Sequence, residues 1–424
     1  MYRKIRKFLA PYYRYLEMRM KIVWYNNHKR QILDRLKKKE VIRVAFMTVN
    51  LSMWRCESLF RLMMADSRFE PIIVPFPRPM FNQDAEKQEL LRMIDYCKSE
   101  GFPYIPGYDY EKLQFNGYDE IKPDIVFFCQ PHNAAFPAHK LEAFWKDCLF
   151  FYVPYCFHIG NYTDMVNNLY MNICQLVFLE NNILKDVESR MMINKGANCV
   201  VTGYLDEDVF RKHVESDNAV WKKQDSDLKR IIWAPHHSIR DIDILNFSVF
   251  LEIAEDMLSL AHKYEGSVQF AFKPHPGLKP KLYDMEGWGK ERTDKYYSEW
   301  ENMPNTILAE GSYHSLFRSS DALIHDSASF TVEYLYTGKP VMYLAKDDHM
   351  NHLNEFGAMC YDVHYKGRTI KDICDFVEHV VLEGKDGMKD VREKFISENL
   401  YRTDEKSPAE NIMDSLVTLL FDKA

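Results

Sequence analysis

Residues 322–344 read ALIHDSASFTVEYLYTGKPVMYL. Ala322–His325 is an apolar strand candidate, and Asp326, Ser327 and Ser329 open a helical stretch that reaches Tyr336. Gly338 is a helix stop signal, and Pro340–Leu344 is a second strand candidate. Strand, helix and strand in direct succession predict a βαβ unit, and strands apolar along their length predict a parallel sheet covered on both faces.

The same rhythm extends outward in both directions. Upstream lie strand candidates Ile231–Ala234, Val268–Phe272 and Thr306–Leu308, with a long helix expected over Ile242–Tyr264. The polar stretch Arg211–Lys229 separates these from an earlier series of strand candidates: Val41–Val49, Ile72–Phe76, Asp124–Cys129, Cys148–Tyr155, Leu176–Glu180 and Cys199–Thr202. Helical candidates Met53–Ala65, Asn82–Glu100, Ala138–Lys146 and Asn182–Asn194 lie between those strands. The expected fold class is α/β, with two Rossmann-type parallel-sheet domains facing across a cleft and a basic helical segment in front. The expected division is 1–40, 41–225, 226–395 and a helical tail 396–424.

Composition narrows the function classes. Apolar residues make up 46% of the 424 residues and charged residues 28%, a balance that supports sizeable cores and excludes disordered or fibrous classes. No G-x-G-x-x-G, Walker, H-E-x-x-H or G-x-S-x-G pattern occurs, which argues against glycine-cradled dinucleotides, zinc peptidases and hydrolase elbows. The nine cysteines contain no C-x-x-C and sit mostly in apolar runs, as reduced thiols of a cytoplasmic protein would. Net charge is −7 overall, yet residues 1–40 carry 13 Lys/Arg against Glu17, Asp34 and Glu40. Aromatic and aliphatic residues from Phe8 to Trp24 interleave with these cations. Such a mixture suits an anionic membrane surface, or a helix packed on the body of the protein. The acidic remainder would repel phosphates, so nucleic acid is not an expected partner.

In a doubly wound sheet, ligands bind beyond the carboxyl ends of the strands, so polar residues that follow strands directly are the site candidates. They are His236 and His237 in IIWAPHHSI, Lys273 and His275 in FAFKPHP, and Asp326, Ser327 and Ser329 in the opening stretch. Lys273 is a cation for a phosphate, and the hydroxyls with free N–H groups at a helix start form an anion site. His158 in CLFFYVPYCFHIGN and His132 in CQPHNAAF both follow strands of the first series, and either suits a general base at neutral pH. Asp241-Ile242-Asp243 has a metal-binding D-x-D form but reads as acidic charge at a helix start, so no metal ligand is assigned.

The run Ile324–Leu344 with KPHP at 273–276 and WAPHHSI at 233–239 resembles the CDP-glycerol glycerophosphotransferase family, whose members build teichoic acids and related capsule polymers. The family's donor motif is D-Y-S-S followed by a helix and K-P-[IV]; this chain has Asp326-Ser327-Ala328-Ser329 and Lys339-Pro340-Val341. The opening strand, helix and strand from Val44 to Pro77 also resemble some members. The family's W-H-G-T-P acceptor loop is represented only by PYCFHIGN, its R-x-H by Lys273-Pro274-His275, and its G-Y-P-R-N-D turn by Gly203-Tyr204-Leu205-Asp206. The resemblance implies a metal-independent GT-B transferase without a resident cofactor, at the inner face of the cell membrane. The implied partners are a nucleotide-diphospho donor such as CDP-glycerol and a polymer or lipid-linked acceptor. It assigns catalysis to His158 and His275, and donor binding to His236, His237, Lys273, Asp326, Ser327 and Ser329. The alternatives are a nucleotide-sugar glycosyltransferase on the same scaffold, with Glu333 holding a ribose, and a non-catalytic polymer-binding member.

Overall fold

A computed structural model describes the chain except for residues 1, 50, 78–82, 131–143, 212–213, 225–226, 241–246, 347–348, 401–404 and 423–424. The chain divides into two compact units. Unit 1 comprises Met1–Cys156, Tyr162–Leu205 and Asp404–Ala424, and unit 2 comprises Phe157–Asn161 and Asp206–Thr403. The boundary thus falls at Asp206 rather than near residue 225, and of the tail 396–424 the stretch Asp404–Ala424 belongs to unit 1 while 396–403 belong to unit 2.

The sheet of unit 1 contains β1 (Ile42–Thr48), β2 (Phe69–Pro75), β3 (Ile125–Phe128), β4 (Leu149–Tyr152), β5 (Leu176–Leu179) and β6 (Cys199–Val201). All pairs are parallel, in the order β2-β1-β3-β4-β5-β6. The expected strands are therefore present, each slightly shorter at one or both ends except at β2, which begins earlier. The helical candidate Ala138–Lys146 falls mostly outside the described residues.

Two helices complete the core of unit 1 from opposite ends of the sequence. Helix α1 (Tyr2–Leu36) buries Ile22, Tyr25, Ile32 and Leu36, a stripe at helical spacing, and the Tyr25 hydroxyl donates to the Cys148 carbonyl at 2.9 Å. The final helix, here α2 (Pro408–Phe421), starts at a capping box: Ser407 Oγ accepts the Glu410 N–H and the Glu410 carboxylate accepts the Ser407 N–H. Pro408 at its first position needs no N–H partner, and Ala409, Ile412, Leu416 and Leu420 enter the core of unit 1.

Unit 2 is built on β7 (Lys229–Ala234), β8 (Val268–Phe272), β9 (Thr306–Leu308), β10 (Ala322–His325), β11 (Val341–Leu344) and β12 (Tyr365–Gly367). The order is β9-β8-β7-β10-β11-β12, again all parallel. This is the doubly wound order, whose reversal lies between β7 and β10. Trp233 on β7 stacks on Phe272 of β8 with centroids 5.0 Å apart and meets Phe250 and Trp300 behind the sheet. These rings anchor the last residues of both strands immediately before the loops that carry the histidines.

Three local expectations change. Of the helix expected over Ile242–Tyr264, residues 242–246 lie outside the described residues, Phe250–Lys263 is helical, and 247–249 are not, because Ser238 Oγ accepts the Phe247 N–H at 2.9 Å and Asp326 accepts the Val249 N–H at 2.8 Å. Side chains from other loops thus capture the amides that a longer helix would use. The stretch after Ser327 is one α-helical turn, Phe330–Glu333, that tightens into a 3₁₀ turn, Tyr334–Thr337, closed by Gly338 at φ +69°. Strand β12 was not anticipated, since YKG carries too little apolar pattern to announce a strand.

Candidate active site

The ladder between β7 and β8 continues past the strand ends: Lys273 N–H donates to the Trp233 carbonyl at 2.8 Å and His275 N–H to the Pro235 carbonyl at 3.0 Å. This holds PHHS and KPHP side by side. His236, His237 and His275 consequently converge, with ring centroids 4.3, 5.0 and 4.2 Å apart, and each offers a nitrogen within 4.8 Å of the others. His236 is buried, His237 half-buried and His275 exposed.

Hydrogen bonds set the ring protons of two of these histidines. A backbone N–H can only donate, so the His275 Nδ1 that meets the Gly277 N–H at 2.9 Å is an acceptor and its proton lies on Nε2. His236 Nδ1 likewise meets the Ser238 N–H at 3.3 Å and Ser238 Oγ at 2.8 Å. Burial, with the neighbouring His275, His237 and Lys281, holds the His236 pKa well below its ordinary value. Both rings therefore present Nε2–H donors, and His236 does so as a neutral ring.

Lys273 is 5% exposed, and no described residue accepts a hydrogen bond from its ammonium. Burial pushes its pKa down to about 8, with Glu310 pulling weakly the other way. A buried cation without a close counter-charge is costly, and an anionic ligand would relieve that cost.

Asp326 and Glu333 are both buried and held by protein donors. Asp326 is 1% exposed; one carboxylate oxygen accepts the His236 N–H, and the other accepts Ser248 Oγ at 2.9 Å and the Val249 N–H at 2.8 Å. Burial pushes its carboxyl up to about 7, against the lowering effect of these three bonds. Its geometry is that of a tie between β10, β7 and the start of the Phe250–Lys263 helix. Glu333 is fully buried, and its Oε2 accepts the Tyr313 hydroxyl at 2.6 Å, which braces the turn after Ser329. Ser327 is buried, with its N–H on His325 Nδ1 at 3.2 Å, and Ser329 is half-exposed. Lys339 is spent on three carbonyls, of Phe317, Arg318 and Ser320.

His158 lies in unit 2, not on the strand ends of unit 1 where the sequence suggested it. The short strap Phe157–Asn161 docks there through the Asn354 side-chain amide on the His158 carbonyl and the Asn354 N–H on the Ile159 carbonyl at 2.8 Å. The Asn161 N–H also meets the His352 carbonyl at 2.9 Å. Gly357 permits this: a Cβ there would lie 2.3 Å from the Ile159 carbonyl oxygen. The Phe247 ring bridges toward the cluster, 5.9 Å from His236 and 6.2 Å from His352. His132 lies outside the described residues. The residues that the sequence did not reveal are thus Ser238, Phe247, Ser248, His352 and Asn354, which place the predicted ones.

No curated protein sequence matches the chain. In overall structure it is similar to a variant of the wall teichoic acid polymerase TagF, with TM-score 0.57 and 12% identity over 98% of this chain and 97% of that one. It is also similar to the S. aureus MnaA–UDP co-structure (TM-score 0.55, 16% identity, 90% of this chain and 97% of that one). UDP-GlcNAc 2-epimerase from Neisseria meningitidis bound to UDP-GlcNAc is a further neighbour (TM-score 0.53, 14% identity, 89% and 99%). At these identities the likeness shows the fold, two parallel-sheet α/β domains of GT-B-like type. The family model for CDP-Glycerol:Poly(glycerophosphate) glycerophosphotransferase matches residues 168–417, more than half of the chain, including every strand of unit 2 and the histidine, lysine and serine loops. By that match, the chain belongs to the CDP-glycerol:poly(glycerophosphate) glycerophosphotransferase family.

Proposed function

We propose that the protein moves a glycerol-phosphate, or a related alditol-phosphate, from a CDP-activated donor to an acceptor hydroxyl on a polymer or lipid-linked acceptor. The observation that carries this reading is a buried lysine, Lys273, two residues before His275 on a loop held against the PHHS loop, with loop amides on Nδ1 of His236 and His275 leaving the proton on Nε2. Donor phosphates would accept from His236 and His275 Nε2, from Lys273, and from the Ser327 and Ser329 hydroxyls, with His237 at the edge. Asp326 positions His236 and does not touch the donor in this reading. His158 takes the acceptor proton, the freed oxygen forms a bond to the distal phosphorus, and the P–O bond to CMP breaks. The leaving phosphate gains charge as it departs, and preorganised N–H and ammonium groups stabilise it most at that moment.

Metal independence is supported by the ring protons. A metal would need the Nε2 lone pair, yet the loop amides on Nδ1 leave Nε2 protonated in both His236 and His275. The same rings suit an oxyanion.

Peripheral attachment to an anionic membrane is supported by α1. Tyr12, Leu16, Met20 and Val23 are 39–66% exposed and lie about half a turn away from the buried stripe, at roughly 100° per residue. Among the described residues no helix is long and apolar enough to cross a membrane.

Purified protein given CDP-glycerol and a hydroxyl-bearing acceptor should release CMP, and His158→Gln should remove the acidic limb of kcat/KM while leaving donor binding intact. Release of a nucleoside diphosphate from a nucleotide sugar would replace this reading with sugar transfer. Donor binding without turnover would make the chain a binding member of its family.

A further inference from the structure

We infer that Cys56 and Cys129 form a modification site, a thiol pair that a low-molecular-weight disulfide converts reversibly to a protein disulfide. The two residues are 73 positions apart, yet their sulfurs lie 3.2 Å apart, and both side chains are buried. Cys129 directly follows β3, and its carbonyl accepts the Tyr155 N–H at 3.1 Å. Cys56 is the N-cap of the nine-residue helix Glu57–Ala65, with its carbonyl on the Phe60 N–H at 2.8 Å. Both backbones are therefore fixed, and both belong to the loops after β1 and β3, the neighbouring strands where the order of the unit 1 sheet reverses.

Proximity separates the two thiols from others in the chain. Burial raises the pKa of Cys97, Cys148, Cys174, Cys199 and Cys360, which keeps those thiols protonated. Cys56 is as buried as these, and what distinguishes it is the second sulfur 3.2 Å away. A protein disulfide needs the sulfurs at about 2.05 Å, so the pair must close by about 1 Å, within reach of side-chain rotation. Cys56 thiolate attacks one sulfur of the reagent disulfide, breaks its S–S bond and expels one thiolate. Cys129 thiolate then attacks Cys56 sulfur and expels the second. Two protein thiols are oxidised, the reagent is reduced to two thiols, and the two protons pass to the expelled thiolates.

The test uses the full chain and glutathione disulfide, followed by alkylation and a non-reducing tryptic map. Cys56 is the sole cysteine of tryptic peptide 56–61 and Cys129 that of 113–140, because Lys122 precedes a proline. The expected result is a linked 56–61/113–140 species with loss of two of the nine alkylatable thiols, fully reversed by dithiothreitol. In Cys129→Ala the resolving thiol is gone, so a stable glutathione adduct on peptide 56–61 should accumulate at least tenfold over wild type. A wild-type map with adducts elsewhere but no linked species overturns the inference, and this arm needs no variant to fold.

Discussion

The Asp326 carboxylate receives the backbone N–H of His236, joining the ends of β10 and β7 across the point where the strand order reverses. With Ser248 and Val249 on its other oxygen, one side chain sets where the PHHS loop sits. Replacing it by asparagine puts an amide NH₂ against at least one donor. Asp326→Asn should cost about 2–4 kcal/mol of unit 2 stability and lower activity with it. An unchanged denaturation midpoint would show that the tie is dispensable.

Lys273 gives a pH dependence with a definite sign. Burial lowers its folded pKa to about 8, against about 10.4 in an unfolded chain. Between those values the unfolded state holds the proton and the folded state does not, so the stability of the free protein rises as pH rises through that window. Donor binding runs the other way, since phosphate needs the ammonium. The kcat/KM for donor should therefore fall above about pH 8, and Lys273→Met should flatten that limb at a lower value throughout. A basic limb that survives in Lys273→Met would assign it to another group.

His275 is exposed, so its removal should leave folding nearly untouched. His275→Ala should reduce kcat by about 100-fold, the usual cost of one preorganised donor to a developing oxyanion. Steady-state kinetics beside a melting curve separates this from misfolding, and wild-type turnover would place the donor elsewhere.

The two faces of α1 call for different substitutions. Removing the helix would strip Tyr25, Ile32 and Leu36 from the core of unit 1, so truncation would confuse attachment with unfolding. Met20→Glu with Val23→Glu alters only the exposed face. This pair should weaken sedimentation with anionic vesicles by about tenfold or more at unchanged melting temperature, and binding of the unaltered chain should fall with added salt. Vesicle binding equal to wild type would assign that face another role.

Gly357→Ala tests the strap. Its Cβ would meet the Ile159 carbonyl oxygen, so the strap must shift and carry His158 with it. The expected outcome is a loss of about 1–3 kcal/mol in stability and of most transfer activity, with donor affinity kept. Full activity would remove His158 from the reaction.

Much of this fold is legible in the sequence because parallel strands are local apolar runs. Val268–Phe272, Thr306–Leu308 and Ala322–His325 are found at the residues their patterns predict. His236, Lys273 and His275 were visible as site candidates for the same reason, since each directly follows such a run. What stayed hidden depends on partners far apart in the chain: Asp326 with Ser248 at 78 residues, or Asn354 with His158 at 196. No spacing rule encodes such pairs. They decide that Asp326 is a tie, that the Phe250 helix starts late, and that His158 is carried by unit 2.

The last helix has a consequence for how the protein is made. Ala409, Ile412, Leu416 and Leu420 share a core with β1 and β3, although they are translated after all of unit 2. Unit 1, begun first, therefore cannot complete its core until this helix has been made. A nonsense mutation just before Ser407 would spare the histidine loops and cripple unit 1. The nascent chain should accordingly depend on holding factors until residues 408–421 have emerged, and emergence of that helix, rather than of unit 2, should set the moment at which unit 1 becomes protease-resistant.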